Sequence, residues 1–255
     1  MKLVNLIIKT LAVSVIHLTL LFILSVSSTA QADNTAGMKY YNAKQYQQAY
    51  KELYADAMKG NAEAAFNLGF MYQNDSGVLT DYLQAVKWFK ASANLGDTEA
   101  MKQLGLMYHA LGFKLPGNGY SSALSWYMKA ALKNNASGQY KVGNFYQYGW
   151  RINTNIHQAI NWYRKSADQG DKDAQYALGN VYKYSDSIKQ DYKEAAVLYR
   201  KAVLQGQVEA QASLGQLYEQ GQGVPKDLKL ALQWCQKAAD AHNDNGIDCV
   251  ARLNL

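Results

Sequence analysis

Residue types that commonly carry catalysis or hold metal ions are sparse in this chain and lie far apart. Beyond residue 32, histidine occurs at His109, His157 and His242. Zinc sites draw Cys and His ligands from positions a few residues apart, but no His or Cys lies three or four residues from any of these histidines. The pattern therefore predicts no metal site.

The other motifs that resemble enzyme sites have structural explanations. Gly221 and Gly223 are spaced as in a phosphate-binding loop, but no strand-like segment precedes them. Asp81, Asp191 and Asp227 fall where helices are expected to begin, and a carboxylate there accepts backbone N–H bonds. Because no nucleophile, base and metal ligand occur together, the sequence predicts a non-enzymatic protein without a cofactor.

The charge balance is mildly basic and evenly spread. The chain has 26 Lys and Arg against 20 Asp and Glu, a formal net charge of +6. Loss of Lys2 and Lys9 with an N-terminal leader would lower that charge by two. No Lys/Arg-rich run of the kind that tracks phosphates is present, so no nucleic-acid partner is expected.

The elements that position these residues are set by an internal repeat. A Leu-Gly or Val-Gly step recurs at a nearly fixed interval, which is the mark of a solenoid built from one supersecondary unit. A large apolar residue and then a basic residue follow each glycine at near-constant distance. The repeated glycines are Gly69, Gly105, Gly143, Gly179 and Gly215, and the apolar residues are Trp88, Trp126, Trp162, Leu198 and Trp234.

Within one repeat, residues 62–97, two apolar stripes at helical spacing are separated by a polar break. Each repeat is therefore predicted to be helix, loop, helix, with Gly96 in the left-handed conformation after the second helix and Asp97 or Thr98 capping the next. A mid-helix glycine costs about 1 kcal/mol relative to alanine, so the glycine register predicts a close approach between the two helices. The aromatic residues expected to cover the glycines are the tryptophans Trp88, Trp126, Trp162 and Trp234, together with first-helix tyrosines.

The repeat resembles the Sel-1-like repeat family, a relative of the tetratricopeptide repeats. The last repeat carries the pattern almost in full, at Ala210, Leu214, Gly215, Tyr218, Gly221, Gly223, Val224, Asp227, Ala231, Trp234, Lys237 and Ala238. The resemblance implies an all-α, right-handed superhelical solenoid of antiparallel helix pairs. It divides the chain into a tetratricopeptide-like first repeat (33–61), five Sel-1-like repeats (62–97, 98–135, 136–171, 172–207 and 208–241) and a C-terminal capping helix (242–255).

The N-terminal 32 residues resemble a secretory signal peptide. A positive start is followed by an apolar run from Leu11 to Val26 and by an A-x-A cleavage site at Ala30 to Ala32. An uncleaved anchor is the alternative, although the apolar run is short for a span of ~20 residues. We expect a periplasmic or secreted bacterial protein whose mature chain does not insert stably in the membrane.

Both cysteines, Cys235 and Cys249, lie in the last repeat and the tail. Disulfides persist in exported proteins, so the pair predicts a disulfide that fastens the C-terminal end of the solenoid. Two free buried thiols are the alternative. The loop around Leu111 and Leu115 is unusually apolar, and it is expected either to fold back on its own repeat or to meet a partner.

The resemblance to tetratricopeptide solenoids implies that first-helix residues line a concave face that binds a protein or peptide. Tyrosine keeps a polar tip on a large buried area, and an asparagine amide can both donate to and accept from a peptide backbone. Ordinary solvated helix residues are the alternative interpretation. The predicted partner-binding residues are Phe66, Phe70, Lys102, His109, Tyr140, Asn144, Tyr148, Tyr176, Asn180, Lys183 and Tyr184, and the same register includes Gln147 and Gln216.

The predicted function is that of an exported adaptor, scaffold or regulator in the cell envelope. A cell-wall or glycan-associated module and a periplasmic inhibitor of a membrane sensor are the alternatives. The oligomeric state is left open by the sequence. The recurring lysines Lys129, Lys165, Lys201 and Lys237 lie near the ends of second helices, where they favour the helix dipole, and are interpreted as structural.

Overall fold

The computed structural model describes residues 36–112 and 114–253, and within these residues the chain is helical with no strand. This confirms the predicted all-α class. The N-terminal segment interpreted as a signal peptide lies outside the described residues. The helices are α1 (36–42), α2 (Tyr46–Met58), α3 (Ala62–Gln73), α4 (Tyr82–Asn94), α5 (Thr98–Leu111), α6 (Gly119–Leu132), α7 (Ala136–Tyr148), α8 (Ile156–Asp168), α9 (Lys172–Tyr184), α10 (Tyr192–Leu204), α11 (Val208–Gln220), α12 (Leu228–Asp240) and α13 (Asp244–Leu253).

The chain forms two compact units that divide between Met107 and Tyr108, inside α5. In the first unit, α2, α3 and α4 pack around a core that contains Leu53, Leu68 and Trp88. In the second unit, each helix from α6 to α13 packs on the next. The cores of both units are therefore built from contacts between helices that follow one another in the chain.

The two helices of a repeat approach closely at the repeated glycine. A Cβ built on Gly143 would lie 2.5 Å from ring carbons of Tyr163, and one on Gly179 would lie 2.6 Å from Tyr199. The prediction that tryptophan covers the glycine is wrong. The covering side chain belongs to the residue after the tryptophan position, and Tyr163 and Tyr199 are fully buried whereas Trp162 is partly exposed.

The junctions between repeats reuse one hydrogen-bonding scheme. Gly96 has φ of +102°, a left-handed conformation that glycine adopts without steric cost. The Asp97 carboxylate then accepts from the backbone N–H groups of Glu99 and Ala100. The expected caps at the second helices also form, because Asp81, Asp191 and Asp227 each accept a backbone N–H from the first turn that follows.

Glutamines link the first helix of a repeat to the residue that ends its second helix within the second unit. Nε2 of Gln169 donates to Oε1 of Gln139 at 2.7 Å, and Nε2 of Gln205 donates to Oε1 of Gln175 at 3.0 Å. The next acceptor in this series is Gln211, whose buried Oε1 has no partner among the described residues. The glutamine series therefore ends with an unused acceptor in the last repeat.

The chain returns on itself between the end of α5 and the start of α6, which agrees with the first of the two expected outcomes. Leu115 is buried, and Gly112 and Gly119 approach so closely that a Cβ on Gly112 would lie 2.4 Å from Cα of Gly119. At the other end of the unit, α13 packs on α11 and α12. The predicted disulfide joins Cys235 to Cys249, with their Cα atoms 5.8 Å apart.

Candidate functional site

The predicted tyrosines fall into two structural classes. Tyr140 and Tyr176 are partly buried, and their ring centroids lie 5.9 Å from those of Tyr163 and Tyr199 respectively. By contrast, Tyr148 and Tyr184 expose 57% and 56% of their surface. They lie about two turns further along α7 and α9. The exposed pair is free to contact a partner, whereas the inner pair contributes mainly to packing.

The predicted asparagines are held from inside by the tyrosines that cover the glycines. The Tyr199 hydroxyl donates to Oδ1 of Asn180 at 2.7 Å, and the Tyr163 hydroxyl lies 2.7 Å from Oδ1 of Asn144. Burial raises the pKa of both tyrosines, so each hydroxyl keeps its proton. Both asparagine side chains therefore already have one internal hydrogen-bond partner, and their role in binding a partner remains a prediction.

Tyr163 also reaches a second amide, Oε1 of Gln147, at 2.6 Å. A hydroxyl has one proton to donate, so it can serve as donor to Asn144 or to Gln147 but not to both. The other amide satisfies Tyr163 by turning its nitrogen toward the hydroxyl oxygen. Asn144 is only 8% exposed, so Gln147 is the member of this pair that reaches the surface.

Lys183 belongs to α9, its side chain contacts α11, and 5% of its surface is exposed. Its ammonium donates to Oε1 of Gln216 at 2.8 Å and lies 4.6 Å from the centroid of the Tyr184 ring. The Tyr184 hydroxyl donates to the same oxygen at 3.3 Å. Burial lowers the pKa of Lys183 to about 8, and the carboxylate of Glu219 opposes that shift.

The second unit contains an open cleft of about 710 Å³, lined by residues of α7, α8, α9 and the adjoining loops. Gln147, Asn180 and Tyr184 form part of its wall. The rest comes from the loop before α8 with the start of α8, and from α9 with the loop after it, and no Asp, Glu, Lys or Arg lines the cleft. The remaining lining residues are Thr154, Asn155, Ile156, His157, Val181, Ser185 and Ser187.

An aromatic cluster surrounds His109 in the same unit. The His109 ring lies 5.0 Å from Trp150 and 5.3 Å from Tyr120, measured between centroids. Burial and the charge of Lys141 lower the pKa of His109. Trp150 also stacks on Tyr148 with 5.2 Å between centroids, so the exposed tyrosine stands on an aromatic support.

Sequence reasoning missed Trp150, Thr154 and His157. All three lie in or beside the loop between α7 and α8, whereas the register used for the prediction covered first-helix positions alone. A usable signal was present: Gly149 ends α7 in the left-handed conformation, with φ of +68°, and the aromatic Trp150 follows at once. A repeat-based register cannot place such loop residues.

Three predicted residues belong to the first unit and serve its packing. Phe66 and Phe70 contact each other, with centroids 5.0 Å apart, and both contact Phe89. Lys102 forms an ion pair with Glu99 on the same helix. All three side chains thus have partners within the first unit.

The sequence model of the Sel1 repeat matches residues 62–97, 98–135, 136–171, 172–207 and 208–243. The chain belongs to the Sel1 repeat family. Solved Sel1 repeat structures resemble it in fold. A Sel1 repeat protein from Oxalobacter formigenes is 30% identical, with a TM-score of 0.75 over 84% of this chain and 86% of that one.

Two further solved structures share the fold of this Sel1 repeat protein. The protein c5321, a protective antigen present in uropathogenic Escherichia coli strains displaying an SLR fold, is 32% identical with a TM-score of 0.79. The match covers 89% of this chain and 49% of c5321, so this chain spans about half the length of that relative. Immunity protein PA5088 from Pseudomonas aeruginosa, 18% identical with a TM-score of 0.53 over 84% of this chain and 83% of that one, shares the fold. No protein with a curated description matches the chain.

Three of the recurring lysines, Lys129, Lys165 and Lys237, lie over the tryptophans of their own helices. Nζ of Lys129 is 3.8 Å from the Trp126 centroid, and Nζ of Lys165 is 4.3 Å from that of Trp162. This cation–π contact gives the lysine column a structural role beyond the helix dipole. The tryptophans that do not cover the glycines therefore pair with lysine instead.

The described part of this Sel1 repeat protein contains no group of three or more His, Cys, Asp or Glu residues arranged to hold a metal ion. Among its described helices, none has the length and apolar character needed to cross a membrane. Sel1 repeats are typically protein-interaction scaffolds.

Proposed function

We propose that this protein is an exported, non-enzymatic adaptor, scaffold or regulator that binds a protein or peptide partner through a surface of its second unit. This surface, called here the first-helix surface, comprises Tyr148, Tyr184, Gln147, Asn180 and Gln216. The observation that carries the proposal is that two half-exposed tyrosines flank amides whose orientation is set from inside by buried tyrosine hydroxyls.

Pre-organisation makes this surface suited to binding an extended segment. Tyrosine buries a large area at low entropic cost, and tyrosines are frequent among residues that dominate binding energy. The amides of Asn180 and Gln147 are held before a partner arrives, so less side-chain entropy is lost on association. An extended backbone supplies the acceptors and donors that fixed amides require.

A glycan is the second candidate ligand, and the composition of the cleft favours it. The lining combines amides and hydroxyls with the apolar Ile156 and Val181 and one half-exposed tyrosine ring, which suits a neutral polyhydroxylated ligand. A protein or peptide ligand accounts in addition for Tyr148, which lies outside the cleft lining and stacks on Trp150. Binding assays with purified peptidoglycan fragments separate the two candidates.

The binding proposal is tested by crosslinked capture from a periplasmic extract, with the mature protein as bait. Replacing both Tyr148 and Tyr184 with alanine is expected to weaken partner capture by about 30-fold, since anchors of this kind commonly contribute 2 kcal/mol or more. The matched control replaces Lys165 and Lys201 on second helices. If the control loses the partner and the tyrosine variant keeps it, the partner binds the second-helix side instead.

Export is supported by Lys2, the apolar run from Leu11 to Val26 and the cleavage site ending at Ala32, and by a disulfide of the kind that persists outside the cytosol. The intact mass of the protein from the periplasm or medium should correspond to a chain that begins at Asp33. A membrane-bound form that begins at Met1 would contradict cleavage.

A further inference from the structure

Lys183 is a buried cation without a carboxylate partner. Its ammonium donates to the neutral amide oxygen of Gln216 and contacts the Tyr184 ring, and it takes part in no ion pair within residues 36–112 and 114–253. A buried charge costs free energy unless an opposite charge or strong hydrogen bonds compensate. Lys183 therefore has capacity for one further, negatively charged acceptor.

The carboxylate that acts on Lys183 from α11 is already engaged. Glu219 receives two hydrogen bonds from Arg252, with Nη2 at 3.0 Å from Oε2 and Nε at 3.4 Å from Oε1. Arg252 lies on α13, which the Cys235–Cys249 disulfide fastens to α12. Glu219 is thus paired with Arg252 of α13, and its charge attracts Lys183 without forming an ion pair with it.

Lys183 also fixes which way Gln216 turns. An ammonium can donate but cannot accept, so the Gln216 atom that faces it must be the carbonyl oxygen. Both hydrogens on Nε2 of Gln216 then donate to no atom of the described part of the chain. The Tyr199 hydroxyl donates to Oδ1 of Asn180, an arrangement that leaves the Nδ2 group of Asn180 as a donor.

We infer that the donor group formed by Lys183, Gln216 and Asn180 receives a carboxylate from an acidic segment of the partner, an inference that rests on the proposed function. A carboxylate has two oxygens and accepts several hydrogen bonds, so it can pair with the ammonium and accept from an amide nitrogen. The site offers one ammonium and no guanidinium fork, which suits a single carboxylate. The occupant is therefore an acidic peptide segment that lies along the first-helix surface.

The test selects peptides from a random phage-displayed library on the oxidised mature protein. The enriched peptides are expected to share an Asp or Glu, and replacing that residue with its amide in a synthetic peptide should weaken binding about tenfold or more. Gln216→Glu places a carboxylate beside Lys183 and should repel the peptide to a similar extent. Gln220→Glu adds the same charge at an exposed position of α11 and should leave affinity unchanged.

A double-mutant cycle assigns the effect to Lys183. In Lys183→Met, with helix content checked by circular dichroism, the peptide carboxylate and its amide should bind equally. If Lys183→Met does not fold, the pair Gln216→Glu and Gln220→Glu decides the question by itself. Equal binding of both peptides to the wild type, or undiminished binding to Gln216→Glu, would overturn the inference.

The variant Tyr148→Ala tests peptide binding by the first-helix surface separately from the preference for a carboxylate. If selected peptides depend on Tyr148 but not on a carboxylate, the first-helix surface binds peptides and the acidic preference is wrong. If no selected peptide depends on Tyr148, Lys183 or Gln216, both proposals fall together.

Discussion

The hydroxyl of Tyr199 on α10 donates a 2.7 Å hydrogen bond to Oδ1 of Asn180 on α9. Tyr163 and Asn144 make the same contact at 2.7 Å one repeat earlier. Tyr127 occupies the equivalent place in the repeat before and is fully buried, but its hydroxyl has no partner among the described residues. The repeats thus contain both a satisfied and an unsatisfied form of one buried tyrosine.

This difference predicts opposite effects of the same substitution. Tyr163→Phe and Tyr199→Phe should each lower the free energy of unfolding by about 1 kcal/mol or more, because each removes a hydrogen bond between a buried tyrosine hydroxyl and an asparagine amide. Tyr127→Phe should be neutral or stabilising, because it removes a buried hydroxyl that makes no bond. Urea denaturation of the three variants measures the order, and a loss for Tyr127→Phe equal to the other two would contradict it.

The glycine contact predicts a steric penalty at Gly143. Gly143→Leu should destabilise the protein by about 1–3 kcal/mol, less any gain in helix propensity, because its Cβ alone would lie 2.5 Å from the Tyr163 ring. Thermal melting gives the effect. Combining the substitution with Tyr163→Ala should yield a smaller loss than the sum of the two single changes. Simple additivity would show that the two sites do not meet.

The unfinished glutamine series predicts a stabilising change. Ala241 follows α12 as Gln169 follows α8 and Gln205 follows α10, each as the helix C-cap. Ala241→Gln should supply the donor that Gln211 lacks and raise the free energy of unfolding by about 0.5–1.5 kcal/mol. Ala241→Glu offers no amide donor and is the control. Equal stability of the two variants would exclude the hydrogen bond as the cause.

The disulfide between Cys235 and Cys249 predicts a redox-dependent melting temperature. Reducing this bond, whose cysteines are 14 residues apart, should lower the free energy of unfolding by about 3 kcal/mol, because the reduced unfolded chain has more conformational freedom. Non-reducing peptide mapping should show the linked pair, and reductant should lower the melting temperature. Mature protein whose two thiols alkylate freely without reductant would rule the crosslink out.

Much of the local structure follows from the sequence because its causes are local. Asp81 and Asp227 cap helices through their own side chains, and Gly96 turns the chain through its own backbone freedom. The repeat pattern predicts that the two helices of every repeat pack in the same way. The candidate site was harder to predict, since Asn144 and Asn180 have the same residue type whether their amides face a partner or an internal tyrosine.

The repeat, the helix pairs, the close contact at Gly143 and Gly179, and the place of the two cysteines near the C-terminal end all follow from the order of the amino acids. Which aromatic residue meets each glycine follows only from how the two helices pack. Trp162 and Tyr163 recur with the same period, and successive helical residues point about 100° apart around the axis. Rotation of the second helix about its own axis therefore sends Tyr163 inward to Gly143 and Asn144 and leaves Trp162 beside Lys165, a choice that no repeat pattern can express.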